Sequence, residues 1–269
     1  MANMTPYFVP DVDALVPNTI AQGGWGPTLG GHVLGGLLAR EIDSLRADLD
    51  LVPARLTVDM LRRVATAPVR VHANVLRVGG RMQAIDGEII QNDEVVARAS
   101  ALYLRRSDQP GERAWSTPIE LPPLPVEPAE FDDAMPMFVK PYGRDPAAGG
   151  QGMVWQHDGP RYGWVREVRE LVAGEKNSPF VQAALAVDVT ASLTGFSTSG
   201  LGFINADYTL TLCRLPEGPY IGMASLAHYS DAGLATGTAS LFDTRGPIGT
   251  GVTTAIANPH FGARTFVRG

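Results

Sequence analysis

Leu34, Leu37, Leu38 and Ile42 fall at i, i+3, i+4 and i+8, one face of a helix predicted from Gly31 to about Arg46. Strand-like runs follow it, at Ala54–Val64, Val69–Val78, Met82–Gln91 and Val95–Arg106. The same order returns later in the chain. A strand at Tyr162–Leu171 precedes a helix from Pro179 to about Leu193. Four more runs come after it, at Phe203–Leu212, Tyr220–Tyr229, Leu234–Phe242 and Ile248–Ala257. Gly79-Gly80, Asn92-Asp93, Pro216-Glu217-Gly218 and Arg245-Gly246-Pro247 mark turns between them.

A shift of 151 residues lays Arg63 on Arg214, Pro68 on Pro219, Gly79-Gly80 on Ser230-Asp231, and Asn92-Asp93 on Asp243-Thr244. The matched order of turns points to a duplicated unit, the alternative being two unrelated α+β halves. Between the halves, Ser107–Gly152 holds nine prolines, with Gly149-Gly150 near its end, and cannot form one regular element. The expected division is an N-terminal unit over 1–106, a Pro-rich connection over 107–152 and a C-terminal unit over 153–269. One short helix is expected in the connection, near Glu127–Met135.

In each half a helix followed by four strands can form an antiparallel sheet that wraps the helix. Gly35 and Gly36 cost the first helix about 1 kcal/mol each relative to Ala, so a close approach of a strand or a partner helix should offset them.

Composition narrows the function. The 269 residues are 45% hydrophobic and 19% charged, as in a globular domain. A net charge of -6 argues against a nucleic-acid surface or attraction to anionic lipid. No apolar run is long enough to span a bilayer, and the N-terminus lacks signal-peptide character. Cys213 is the only cysteine, which fits a reducing cytoplasm, and it is expected as a buried, inert thiol.

The motif Gly30-Gly31-His32-Val33-Leu34-Gly35-Gly36, the helix Phe180–Leu193, the stretch Gly200-Leu201-Gly202-Phe203 with the strand Ile204–Arg214, and the last strand Ile248–Ala257 together resemble the double hotdog acyl-CoA thioesterases of the bacterial thioesterase II type. The resemblance covers nearly the whole chain. It implies an α+β, tandem (double) hotdog fold, with two antiparallel sheets each wrapped round a central helix. It also implies hydrolysis of an acyl-CoA thioester to free acid and CoA, a part in lipid metabolism, and no cofactor or metal. Family members place an Asp, a Thr and a Gln around a hydrolytic water. The Asp position matches Asp188, the Thr position Asn205, and the Gln position Thr253 or a residue within one of it. Only the first is retained in kind, although Asn and Thr can both hydrogen-bond a water.

Asp188 also stands out unaided, as the only charged residue between Phe180 and Leu193. A carboxylate among Leu185, Ala186, Val187 and Val189 should have a raised pKa and suit general-base work. The alternative is a solvent-facing Asp, or one paired with Arg214. The glycines before the first helix leave its free N–H groups open to a ligand. The amides of Gly31 and His32 are therefore the expected oxyanion donors, with the His32 ring on the pocket or serving as a cap or core residue. CoA phosphates are expected near surface cations such as Arg62, Arg63 or Arg105.

Other chemistries are less well served. No P-loop, dinucleotide fingerprint or Gly-x-Ser-x-Gly elbow is present. His32, His72, His157, His228 and His260 lack metal-ligand spacing. A non-catalytic acyl-CoA or fatty-acyl binding protein with a degenerate site is the main alternative. A hotdog hydratase would need an Asp/His pair close in sequence at the start of a central helix, whereas His32 has no Asp within six residues and Asp188 has no nearby His. Uncovered sheet edges suggest a homo-oligomer, a dimer or higher.

Overall fold

The structure is a computed structural model in which residues 4–111, 115, 116, 118–143 and 155–258 are described. The N-terminal half comprises β1 (Phe8–Asp11), β2 (Ala14–Pro17), α1 (Gly31–Ser44), β3 (Leu51–Met60), β4 (Arg70–Val78), β5 (Met82–Gln91) and β6 (Glu94–Arg105). The rest comprises β7 (Phe138–Tyr142), β8 (Tyr162–Arg166), α2 (Pro179–Val187), α3 (Val189–Gly195), β9 (Phe196–Ser197), β10 (Gly200–Leu201), β11 (Phe203–Asn205), β12 (Asp207–Leu212), β13 (Ile221–Asp231), β14 (Leu234–Asp243) and β15 (Gly246–Ala257).

Where two wrapped sheets were expected, there is one large antiparallel sheet of eleven strands. Its order is β4-β5-β6-β3-β12-β15-β14-β13-β8-β7, with β11 also paired to β15. The join is β3 against β12, with Leu56 opposite Leu210 and Thr57 opposite Thr209, and the two threonine hydroxyls 3.1 Å apart. Pairing these edges covers two strands that separate sheets would leave open. Apolar side chains of both halves belong to one continuous core.

The predicted helix face is buried throughout, and Val33 joins Leu34, Leu37, Leu38 and Ile42 in it. α1 packs on α2 and on strands of the first half, whereas α3 lies against β13, β14 and β15. Both helix glycines mark close approaches. A Cβ at Gly36 would lie 2.8 Å from Leu185 of α2, and one at Gly35 would run into Tyr208 of β12. Asn92 and Asp93 close the β5–β6 hairpin with φ of 53° and 61°, the left-handed conformation that a tight hairpin turn requires.

Four expectations need correction. The predicted helix near Glu127–Met135 is absent, and an Asp132 turn stands there instead, its carboxylate accepting from Ala134 N–H. The Pro-rich stretch contains a strand, β7, which forms one end of the sheet; the join at residues 152 and 153 lies outside the described residues. Cys213 sits in a bend just past β12 and is exposed, its thiol donating to Ile248 O; leaving the strand there turns the side chain outward. The second helix is broken at Asp188, as described below.

A knot of buried polar groups ties the N-terminal segment to the connection. The Arg169 guanidinium donates to Thr5 O, Pro136 O and Met135 O. The Tyr7 hydroxyl meets Pro136 O and Glu167 Oε2, and Glu167 Oε1 accepts from Val168 and Arg169 N–H. No helix among the described residues is long and apolar enough to cross a membrane.

Candidate active site

A cavity of about 540 Å³ opens between the halves, within the range of small-molecule sites. Its walls come from the front of α1, the end of β3, the α2–α3 break and β11. Asp188 sits at that break. Its own N–H bonds Ala186 O, and Ala191 N–H bonds Asp188 O at 3.1 Å, so the α-helical ladder is interrupted at this residue. The interruption leaves the carboxylate on the cavity wall.

The carboxylate is deep in the protein, and the surface it retains faces the cavity. Burial raises its pKa to about 6, although hydrogen bonds from the Asn205 side chain and the His32 main-chain N–H pull the other way. Asn205 Nδ2 donates to Oδ1 at 2.9 Å. Arg214 is not a partner, because it forms a two-pronged pair with Asp243. Asp188 is therefore a half-buried carboxylate held by the Asn205 amide, with no cation paired to it among the described residues.

The glycine-rich front of α1 now has a structural reason. A Cβ at Gly31 would lie 2.8 Å from Asp188 Oδ1 and 3.0 Å from Met60 Sδ. Only a bare backbone lets the helix front meet the carboxylate of the other half. Tyr208 holds that front in place. Its hydroxyl donates to Gly31 O at 3.1 Å. The sequence reading missed Tyr208. It alternates with Leu210 and Leu212 as a core position, and the available signal was a phenol among apolar neighbours, whose hydroxyl needs a partner.

The residues singled out in the sequence fall into two groups. Asp188, Asn205, Gly31 and His32 all line the cavity. Thr253 does not. It is buried, and its hydroxyl donates to Asp207 O at 3.0 Å. The His32 main-chain N–H, expected to face an oxyanion, also favours the charged form of Asp188. The His32 ring packs edge-on against Tyr7 at 5.5 Å, and burial lowers its pKa to about 4, so it is neutral at physiological pH. Cavity residues not foreseen include Gln22, Trp25, Met60, Trp155 and Phe196.

The place on α1 that corresponds to Asp188 beyond the start of α2 is taken by Arg40. Its guanidinium makes a two-pronged pair with Glu175, at 2.6 and 2.7 Å, just before α2 begins. Counted from the helix starts, the first helix thus carries a paired guanidinium where the second carries Asp188.

Comparisons with known proteins agree with this architecture. The family model for the acyl-CoA thioesterase N-terminal domain matches residues 22–104, and the one for the C-terminal domain matches residues 118–257. No curated protein matches significantly. Among solved structures, a putative thioesterase II from Thermobifida fusca is 15% identical, covering 95% of this chain and 100% of that one, with a TM-score of 0.70. A hot dog fold protein of unknown function from Alicyclobacillus acidocaldarius is 16% identical, covering 93% and 95%, also with a TM-score of 0.70. An acyl-CoA thioesterase II from Mycobacterium marinum is 16% identical over 85% and 90%, with a TM-score of 0.60. These likenesses carry the hotdog fold.

Proposed function

The chain belongs to the acyl-CoA thioesterase family, and from that premise we propose that it hydrolyses an acyl-CoA thioester with a water activated by Asp188. The observation that carries this reading is the unneutralised Asp188 carboxylate, deep in the protein yet facing the cavity. Burial keeps its proton affinity near that of a useful general base. The Asn205 amide and the His32 N–H fix its orientation, so one lone pair can point at a water.

In the proposed reaction Asp188 takes a proton from that water, and the oxygen adds to the thioester carbonyl. The oxyanion forms beside the front of α1. There the main-chain N–H groups of Gly31 and His32 are the candidate donors. The carbon–sulfur bond then breaks, and the thiolate leaving group recovers the proton from Asp188. Trp25, Trp155, Phe196, Ile204 and Ile256 offer an apolar lining for the acyl group.

This reading is tested by assaying release of free thiol from a series of acyl-CoA chain lengths, for the parent chain and for Asp188→Ala. Turnover that collapses in the variant supports it. Tight acyl-CoA binding with no turnover, and no change on substitution, would overturn it in favour of a carrier.

A further inference from the structure

We infer that Arg62 and Arg63 form the docking point for the phosphates of the CoA half of the substrate, with Arg63 as the principal contact. This rests on the thioesterase reading and assigns the cavity's charged end. Among the described residues lining the cavity, these two are the only permanent cations and Asp188 the only carboxylate. Both arginines are exposed, on a chain whose net charge is -6, so cationic charge at the mouth runs against the overall balance. Arg63 has no ion pair among the described residues. Arg62 stands 3.5 Å from Glu94, both side chains about 60% exposed, a contact too solvated to hold the guanidinium against a phosphate. Arg105, the third sequence candidate, is engaged by Asp48, Asp50 and Gly80 O and does not line the cavity.

The spacing along the chain also suits a long ligand. Met60, whose sulfur reaches the Gly31–Asp188 contact, lies two and three residues before the arginines. The arginines thus follow directly on the strand end that reaches the reacting centre, and both line the same cavity. Guanidinium groups suit the task, since they bind phosphate oxygens in two-pronged fashion.

The test compares one acyl group on two carriers: CoA, and N-acetylcysteamine, which has the thioester without phosphates. For Arg63→Ala we expect KM for the acyl-CoA to rise roughly three- to tenfold at low salt with kcat nearly unchanged. Hydrolysis of the N-acetylcysteamine thioester should match the parent. Arg63→Lys should recover part of the loss, and Arg62→Ala/Arg63→Ala should flatten the salt dependence of KM. Equal effects on both carriers, or an indifferent double variant, would overturn the inference while leaving hydrolysis intact. Calorimetry with CoA, dephospho-CoA and pantetheine separates the two claims. Should the parent hydrolyse nothing, weaker CoA binding by Arg63→Ala still supports the docking point, whereas unchanged CoA binding overturns it. Loss of affinity confined to CoA, with dephospho-CoA unaffected, assigns the contact to the 3′-phosphate; loss for both assigns it to the diphosphate.

Discussion

The hydroxyl of Tyr208 occupies the volume that a side chain at Gly35 would fill, with the ring carbon bearing it 2.7 Å from where a Cβ would stand. Replacing Gly by Ala inside a helix ordinarily gains about 1 kcal/mol. Overpacking a filled core costs about 1–3 kcal/mol, and here the obstacle is a buried ring anchored to Gly31 O. The clash should win. Gly35→Ala is expected to lower stability in denaturant unfolding by about 1–3 kcal/mol and to reduce kcat, because the helix front must shift from Asp188.

Asp188→Asn should reduce kcat by about 10²- to 10⁴-fold, the usual contribution of a general base. For the parent chain, kcat/KM should rise with pH through about 6 and then level off, since the carboxylate must be ionised. The stability effect has the opposite sign. A carboxyl whose folded pKa is raised stabilises the fold fully below its unfolded pKa, and that contribution is lost as pH rises through about 6. The ionised carboxylate therefore costs the fold on the order of 3 kcal/mol at alkaline pH. Melting curves should place Asp188→Asn above the parent at pH 8, with the gain gone at pH 4.

Asn205→Ala removes a donor that favours the charged carboxylate. The midpoint of the pH–rate curve should move above 6 and the plateau should fall. An unmoved midpoint with a lowered plateau would mean that Asn205 acts on the water or substrate alone.

Thr253→Ala should leave kcat within a few-fold of the parent, because the hydroxyl is spent on Asp207 O outside the cavity lining. The main cost should be stability, about 1 kcal/mol for a lost buried hydrogen bond. A hundredfold loss of kcat would return Thr253 to the water-orienting role read from the sequence.

Glu167 carries its own pH signature, since burial raises its carboxyl pKa to about 8. The protonated form is favoured in the fold, so this part of the stability is fully present only below the ordinary carboxyl pKa and is lost progressively as pH rises from there through about 8. Glu167→Gln should flatten the decline in melting temperature between about pH 5 and 8.

The local pattern of the chain was legible where one element decides its own conformation. The strand Met82–Gln91 and the turn at Asn92-Asp93 stand as read, and the α1 face is buried as its spacing required. Asp188 was legible because a lone charge in an apolar helix has few reasons to be there. Other features were hidden for physical reasons. The period of two in β3 and β12 tells which face is buried but not which edges meet, so the single sheet was not readable. The direction of the Thr253 hydroxyl and the use of the His32 amide depend on residues far away in the chain. The break at Asp188 was masked because no Pro or Gly interrupts Phe180–Leu193.

The Arg40–Glu175 pair bears on stoichiometry. A protein with two similar halves could turn over two molecules at once, but the position on α1 that answers to Asp188 holds a paired guanidinium and no free carboxylate. Each polypeptide should accordingly titrate with a single equivalent of a tight inhibitor, and separated halves mixed in a test tube should regain turnover only as they reunite, each supplying what the other lacks.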